Sequence, residues 1–223
     1  MTTGPLIAMI PARLGSQRLV RKNLAPYKGA PLIAHAIRKC FAAGCFDAVW
    51  VNSESAEIGA VAQAEGAQFH RRPPALADSV ATSEQFVAEF LEAHPCEAVA
   101  QVHSIAPLLT AQEVAACVAA WRAGGQDVML SCIEDQIEVA FRGRPVNFTF
   151  AEKTNSQDLT PVQRITWAIT IWRREPYLAA LRRGETATYG GDVGFFPVSA
   201  ASGHVIKTQA DLDIAEALSR VRG

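Results

Sequence analysis

Short apolar runs of strand length alternate along this chain with segments of helical spacing, and few folds accommodate that order. Leu6-Ile-Ala-Met-Ile10 is apolar at every position, so as a strand it needs cover on both faces. Asp47–Val51, Ala98–Val102, Asp127–Cys132, Ala168–Trp172 and Val193–Phe196 read as further strands. Pro31 suits the first turn of a helix that carries Leu32, His35, Ala36, Cys40 and Ala43 to a stop at Gly44. Ser55 and Gly66 bracket a second helix as cap and stop. Thr82–Ala93, with Phe86, Phe90 and Leu91 on one face, is a third, and Gln112–Ala123, Pro176–Arg183 and Thr208–Arg220 complete the set. Strand–helix units of this length predict a three-layer α/β/α architecture around a mainly parallel sheet.

The 223 residues suit a single domain spanning 1–223, and an apolar content of 49% can fill its core. One stretch breaks the alternation. Residues 134–164 hold a period-two pattern from Phe141 to Phe150 and a polar tract through Asn155 and Pro161, and read as an inserted hairpin or arm. No apolar run approaches the roughly 20 residues that span a bilayer. The 21 basic and 22 acidic residues give a net charge of −1, without the basic surplus of a nucleic-acid or anionic-membrane binder. Met1 to Ala12 has neither a basic leader nor a small-residue cleavage pattern, which argues against a signal peptide. Cys40, Cys45, Cys96, Cys117 and Cys132 are scattered and never spaced C-x-x-C, as expected of buried reduced thiols in a cytoplasmic protein. Trp50, Trp167, Trp172, Phe195 and Phe196 are expected in the core, and His35, His70 and His94 in structural or exposed positions.

Charge is unevenly distributed. No Asp or Glu precedes Asp47, yet Arg13, Arg18, Arg21, Lys22, Lys28, Arg38 and Lys39 all do. Open parallel sheets bind ligands beyond the carboxyl ends of their strands. The segment after the first strand, Pro11-Ala-Arg-Leu-Gly-Ser-Gln-Arg-Leu-Val-Arg-Lys-Asn-Leu24, is therefore the expected site. Glycine and serine let backbone N–H groups approach phosphate oxygens, and arginine and lysine neutralise them. The pattern is neither G-x-x-x-x-G-K-[ST] nor G-x-G-x-x-G, so it predicts a phosphate-binding loop of another kind. A second glycine-rich turn, Gly190-Gly191 before Asp192, could bring backbone near a ligand or simply connect elements.

The run P-A-R-x-G-S-x-R followed by Lys22-Asn23 resembles the opening motif of the cytidylyltransferases that make CMP-sugars, the CMP-sialic acid (acylneuraminate) synthetases and their CMP-octulosonate relatives. Arg72-Pro-Pro-Ala-Leu-Ala-Asp-Ser-Val-Ala-Thr-Ser83 is similar to that family's R-P-x-x-L-A-x-D-x-A-[ST]-[ST] segment, and Ala106–Thr110, Arg164–Ile171 and Ile206–Asp211 fall where its later motifs lie. The resemblance implies a Rossmann-like nucleotidyltransferase fold, a homodimer with a dimerisation arm at 134–164, and transfer of CMP from CTP to a 2-keto-3-deoxy sugar acid with release of pyrophosphate. It also implies residue roles. Arg13, Ser16 and Lys22 would hold the triphosphate, with Arg18 and Asn23 among the nucleotide-binding residues. Arg72 and Ser83 would read cytosine, and Arg164 would face the sugar acid. Mg²⁺ is expected from the resemblance alone.

The chain departs from that family at the metal. Val205 and Lys207 stand where its I-D-I-D-T run supplies acids, and Ile105 replaces a further acid of the octulosonate branch, so no metal ligand is assigned. Either Lys207 supplies a fixed charge in place of the ion, as a catalytic residue beside Arg13 and Lys22, or catalysis is weakened or lost. Asp211 completes a Thr208-x-x-Asp211 capping pattern and is assigned to a helix N-terminus. His103 replaces the family's glutamine and is expected to face the sugar with Arg164, able to bind or deprotonate a hydroxyl. Leu109 replaces an arginine and Trp167 a glycine. The expected partners are CTP and a sugar acid, with no nucleic acid and no membrane. A non-catalytic nucleotide- or sugar-binding relative, or a transferase using another nucleotide, remain the alternatives.

Overall fold

The computed structural model describes residues 4–16, 18–78 and 80–222, and of Arg222 the backbone only. Seven strands form its main sheet: β1 (Leu6–Pro11), β2 (Ala48–Ser53), β3 (Gln68–Arg71), β4 (Ala98–Val102), β5 (Val128–Asp135), β6 (Val162–Arg173) and β7 (Val193–Pro197). Their order across the sheet is β7-β5-β6-β4-β1-β2-β3. Neighbours are parallel except at β6, which runs antiparallel to both β4 and β5. The helices are α1 (Leu32–Ala43), α2 (Ala56–Ala64), α3 (Ser83–Ala93), α4 (Ala111–Gly124), α5 (Arg174–Arg182) and α6 (Gln209–Arg222).

Three layers follow from the apolar strands. Leu6, Ala8 and Ile10 of β1 pack with α1, α2 and α4 through Ile33, Ile37, Ile58, Val114 and Trp121. Ile7 and Met9 point the other way, against Val87 and Phe90 of α3 and Tyr177 and Leu178 of α5. Both faces are buried, as a strand without polar positions requires. A smaller cluster seats α6, with Leu212 and Ala215 against Tyr27, Leu32, Leu108 and Ile206. Helix boundaries follow local chemistry. Ser55 accepts from the Ile58 N–H, and Thr82–Gln85 and Thr110–Glu113 form reciprocal capping boxes. Gly44 ends α1 in the left-handed conformation at φ 62°.

Several expectations need correction. The edge strand β3 was absent from the sequence reading, because Gln68-Phe-His-Arg71 is polar at both ends and only four residues long. The strand expected at Ala168–Trp172 is longer, running from Val162, and returns antiparallel, since it follows an arm rather than a crossover helix. The arm is shorter than 134–164: Glu134 and Asp135 belong to β5, and Val162 to Arg164 to β6. Its hairpin pairs Ala140–Phe141 with Arg144–Pro145, far less than the alternation to Phe150 suggested. Phe195 is exposed because it lies on the edge strand β7, whereas Trp172 is buried and Trp50, Trp167 and Phe196 are half-buried. Cys45 and Cys96 are half-buried, while Cys40, Cys117 and Cys132 are buried, and all five thiols are free. Gly190-Gly191 enters the amino end of β7 and so lies opposite the carboxyl edge, as a plain connection. The three histidines are structural: His35 Nε2 lies 2.6 Å from the Tyr27 carbonyl, and His70 bridges His94 and Glu89.

Glu113 joins α4 to the segment leading into α6. Its carboxylate accepts from the Thr110 N–H and hydroxyl (2.9 Å each), the Ser199 N–H (2.9 Å) and the Ser202 hydroxyl (2.6 Å). Burial opposes ionisation here, but these donors outweigh it and hold the carboxyl down to about 2. A depressed folded value means stability present above the ordinary pKa and lost as pH falls toward 2. Glu113→Gln should lower the melting temperature at pH 7 by about 3–6 °C. Calorimetry across pH should show that deficit shrinking below pH 4.5.

Candidate functional site

The connection from β1 leads to β2 on one side, whereas the chain returns from β3 to β4 on the other, so strand order reverses between β1 and β4. Such a reversal leaves a crevice at the carboxyl edge. A cleft of about 270 Å³ opens there, lined by Pro11, Ala12, Arg13, Ser16, Arg18, Leu19, Lys22 and Asn23 after β1, by Arg72 after β3, by Phe86 on α3, and by His103 and Ile105 after β4.

Buried polar contacts shape the loop after β1. Asn23 is 5% exposed; its amide donates to the Arg13 carbonyl (2.9 Å) and its carbonyl accepts from the Ser104 hydroxyl (2.6 Å). The Leu14 N–H donates to Glu54 Oε1 at 2.8 Å. Arg13 Nη1 donates to the Asp78 carbonyl at 2.8 Å across the cleft mouth, and Lys22 Nζ to the Ile206 carbonyl at 3.2 Å. Both cations therefore donate to neutral carbonyls and form no salt bridge among the described residues.

Arg72 is held differently. At 3% exposure its Nε donates to Asn52 Oδ1 (2.6 Å) and its Nη2 to the Asn52 carbonyl (2.8 Å), while its guanidinium lies 4.1 Å from the centre of the Phe86 ring. Burial lowers its pKa to about 10, which leaves it charged at neutral pH. Lys22 is lowered by burial and then by the like charges of Arg18 and Arg13, against a smaller opposing pull from Asp211. His103 is pushed down to about 4 by burial and by Lys22, so its imidazole is neutral at pH 7. Its backbone N–H is fixed to the Ala168 carbonyl at 3.1 Å.

Of the residues singled out from the sequence, Arg13, Ser16, Arg18, Lys22, Asn23, Arg72 and His103 share this cleft; Ser83, Arg164 and Lys207 do not line it. Ser83 is the exposed first residue of α3, and the same helix reaches the cleft through Phe86 one turn later. Lys207 and Arg164 line a second cleft of about 260 Å³, with Ile133, Gly203, His204, Val205 and Asp211. There Arg164 is exposed and its Nε pairs with Asp135 at 2.7 Å. Asp211 accepts from the Lys207 and Thr208 N–H groups and the Thr208 hydroxyl, the expected helix cap. Phe86, Asn52 and Glu54 escaped the sequence reading. Phe86 shares its helix stripe with Phe90, and only Asn52 and Glu54, polar residues closing an apolar strand, left a trace of their position.

A family model described as cytidylyltransferase matches residues 7–221. N-acylneuraminate cytidylyltransferase A of Danio rerio is 30% identical over 127 residues, covering 56% of this chain and 30% of that protein. The 3-deoxy-manno-octulosonate cytidylyltransferase of Anaeromyxobacter sp. is 32% identical over 146 residues, 66% of this chain and 54% of its own length. Pseudaminic acid cytidylyltransferase of Campylobacter jejuni is 38% identical over 87 residues, 39% and 38% of the two chains. The matches thus span 30% to 54% of these three relatives. The solved structure of CMP:2-keto-3-deoxy-manno-octonic acid synthetase complexed with CTP shares the fold, with a TM-score of 0.71 at 18% identity, over 98% of this chain and 100% of that one.

Uncompensated cations cost stability until an anion arrives. Arg18→Gln should raise the melting temperature of the ligand-free protein by about 1–2 °C. The same variant should gain less than the wild type on adding pyrophosphate, measured by scanning fluorimetry.

Proposed function

The chain is a member of the cytidylyltransferase family, and on that premise we propose that it transfers CMP from CTP to a 2-keto-3-deoxy sugar acid. The observation that carries this reading is the cleft beside β1, where Arg13, Arg18 and Lys22 converge without an acidic partner. A hydroxyl oxygen of the sugar attacks the α-phosphorus of CTP, the bond from that phosphorus to the α–β bridging oxygen breaks, and pyrophosphate leaves. The hydroxyl proton is released in the same exchange. Charge builds on the departing pyrophosphate, and pre-aimed cations stabilise it by several kcal/mol in reactions of this class.

Arg13, Ser16, Arg18 and Lys22 take the triphosphate in this assignment. Arg72 and Phe86 take the base, because a buried guanidinium and a ring edge suit a flat, polar heterocycle better than the exposed Ser83. Asn23 acts through the loop it fastens. His103, neutral and without a side-chain partner among the described residues, offers a nitrogen to the acceptor hydroxyl. The second cleft, with Arg164, is assigned to the acidic sugar. The arm's exposed Ile137, Phe141, Val146 and Phe150 support pairing with a second copy of the chain. Five free thiols support a reducing, cytoplasmic setting.

Calorimetric titration with CTP, UTP, GTP and ATP tests the nucleotide. CTP should bind preferentially, and Arg13→Gln combined with Lys22→Gln should weaken it about a hundredfold or more. Unchanged affinity in that double variant would overturn the assignment. Incubation with α-labelled CTP and a panel of 2-keto-3-deoxy sugar acids should yield a labelled CMP-sugar and one pyrophosphate per turnover. Tight CTP binding without turnover on any acceptor would instead identify a nucleotide-binding member of the family.

A further inference from the structure

The residues here do not fit a protein-held Mg²⁺. A hard cation of this kind takes oxygen ligands, usually one or two carboxylates together with phosphates and waters. The residues lining the main cleft include no acid. The acids around it each accept from backbone donors through one carboxylate oxygen. Glu54 Oε1 accepts from the Leu14 N–H, Asp78 Oδ1 from the Val80 and Ala81 N–H groups, and Asp211 Oδ2 caps α6. Ile105 lies in the loop after β4 beside the cleft, and Val205 and Lys207 flank Ile206, offering no oxygen ligand from their side chains.

We infer that the cleft holds its nucleoside triphosphate through fixed side-chain cations, with Lys207 of the adjoining second cleft adding its charge to that of Lys22, and so needs no divalent ion to bind it. This rests on the nucleotide reading above. Three observations carry it. Lys22 Nζ donates to the Ile206 carbonyl, so the two lysines meet within one residue of backbone. The Ile206 N–H donates in turn to the Ile105 carbonyl at 2.8 Å, stapling the Lys207 segment to the end of β4, where the main cleft lies. Finally, Arg13, Arg18, Lys22 and Lys207 form no salt bridge among the described residues, whereas Arg21, Arg38 and Arg164 nearby are paired with Glu57, Glu65 and Asp135. Like charges left unpaired in a polar cleft mark where a polyanion supplies the counter-charge. Burial lowers the Lys22 pKa most, and Arg18, Arg13 and Lys207 lower it further against the pull of Asp211, which agrees with that crowding. Mg²⁺ on two carboxylates adds no net charge, whereas Val205 with Lys207 adds one positive charge, tolerable opposite a triphosphate.

Titration calorimetry with CTP in EDTA and again in excess Mg²⁺ tests the inference. The wild type should bind CTP at least as tightly in EDTA. Lys207→Gln should weaken metal-free binding about tenfold, and Lys207→Asp more, with Mg²⁺ partly restoring the second variant only. Lys207 is exposed, so both variants are expected to fold. CTP binding by the wild type that requires Mg²⁺ would overturn the inference and leave the cytidylyltransferase reading intact, as would metal-free affinity unchanged in Lys207→Gln. No CTP binding under either condition would overturn both.

Discussion

The site depends on one buried amide. A loop that gathers Arg13, Arg18 and Lys22 tends to spread, since the charges repel and no acid lies among them. Asn23 opposes this by donating to the Arg13 carbonyl while accepting from Ser104, and so binds the loop after β1 to the loop after β4. Both contacts are shielded from water, where a satisfied polar pair is costly to break. The crevice between β1 and β4 comes from topology, but its cationic lining keeps its shape through this amide. Replacing the amide would strand a buried hydroxyl and a backbone carbonyl together.

Arg72 solves a related problem by another route. A guanidinium 3% exposed, with no salt bridge and only the more distant charges of Glu54 and Glu89 to favour it, would ordinarily be expensive. Asn52 satisfies two of its donors and the Phe86 face covers the cation, which leaves the charge intact and directed into the cleft. The β1-loop side of the cleft and the Arg72 side thus differ in kind. One is a set of half-buried or exposed cations on a stapled loop; the other is a single buried cation fixed by a strand-end asparagine.

Much of this could be read from residue patterns. Apolar strands such as Leu6–Ile10 announce two-sided burial, and the acid-free amino-terminal stretch points to an anion site next to β1. The cap at Ser55 lies where a serine precedes helical spacing. What pattern could not supply was direction and reach. Periodicity is the same for a parallel and an antiparallel strand, so β6 could not be oriented. Charge could be located but not paired: Arg21 and Arg38 are neutralised by Glu57 and Glu65 from later in the chain. Phe86 looked like core because a helix stripe does not show where its first turn emerges. Trp167, by contrast, occupies a left-handed conformation at φ 61° inside an irregular stretch of β6, where glycine is the usual occupant and a bulky residue carries roughly 1–3 kcal/mol of strain.

The orientation of β6 settles where the inserted arm is rooted. Because β5 runs up the sheet and β6 returns down it, the chain between them leaves and re-enters at the carboxyl edge, beside Ile133, Arg164 and Gly203 of the second cleft. A parallel β6 would have re-entered at the far edge of the sheet. The arm's exposed Ile137, Phe141 and Phe150 are therefore carried on a stalk rooted at the rim of the second cleft, not at the opposite pole of the sheet.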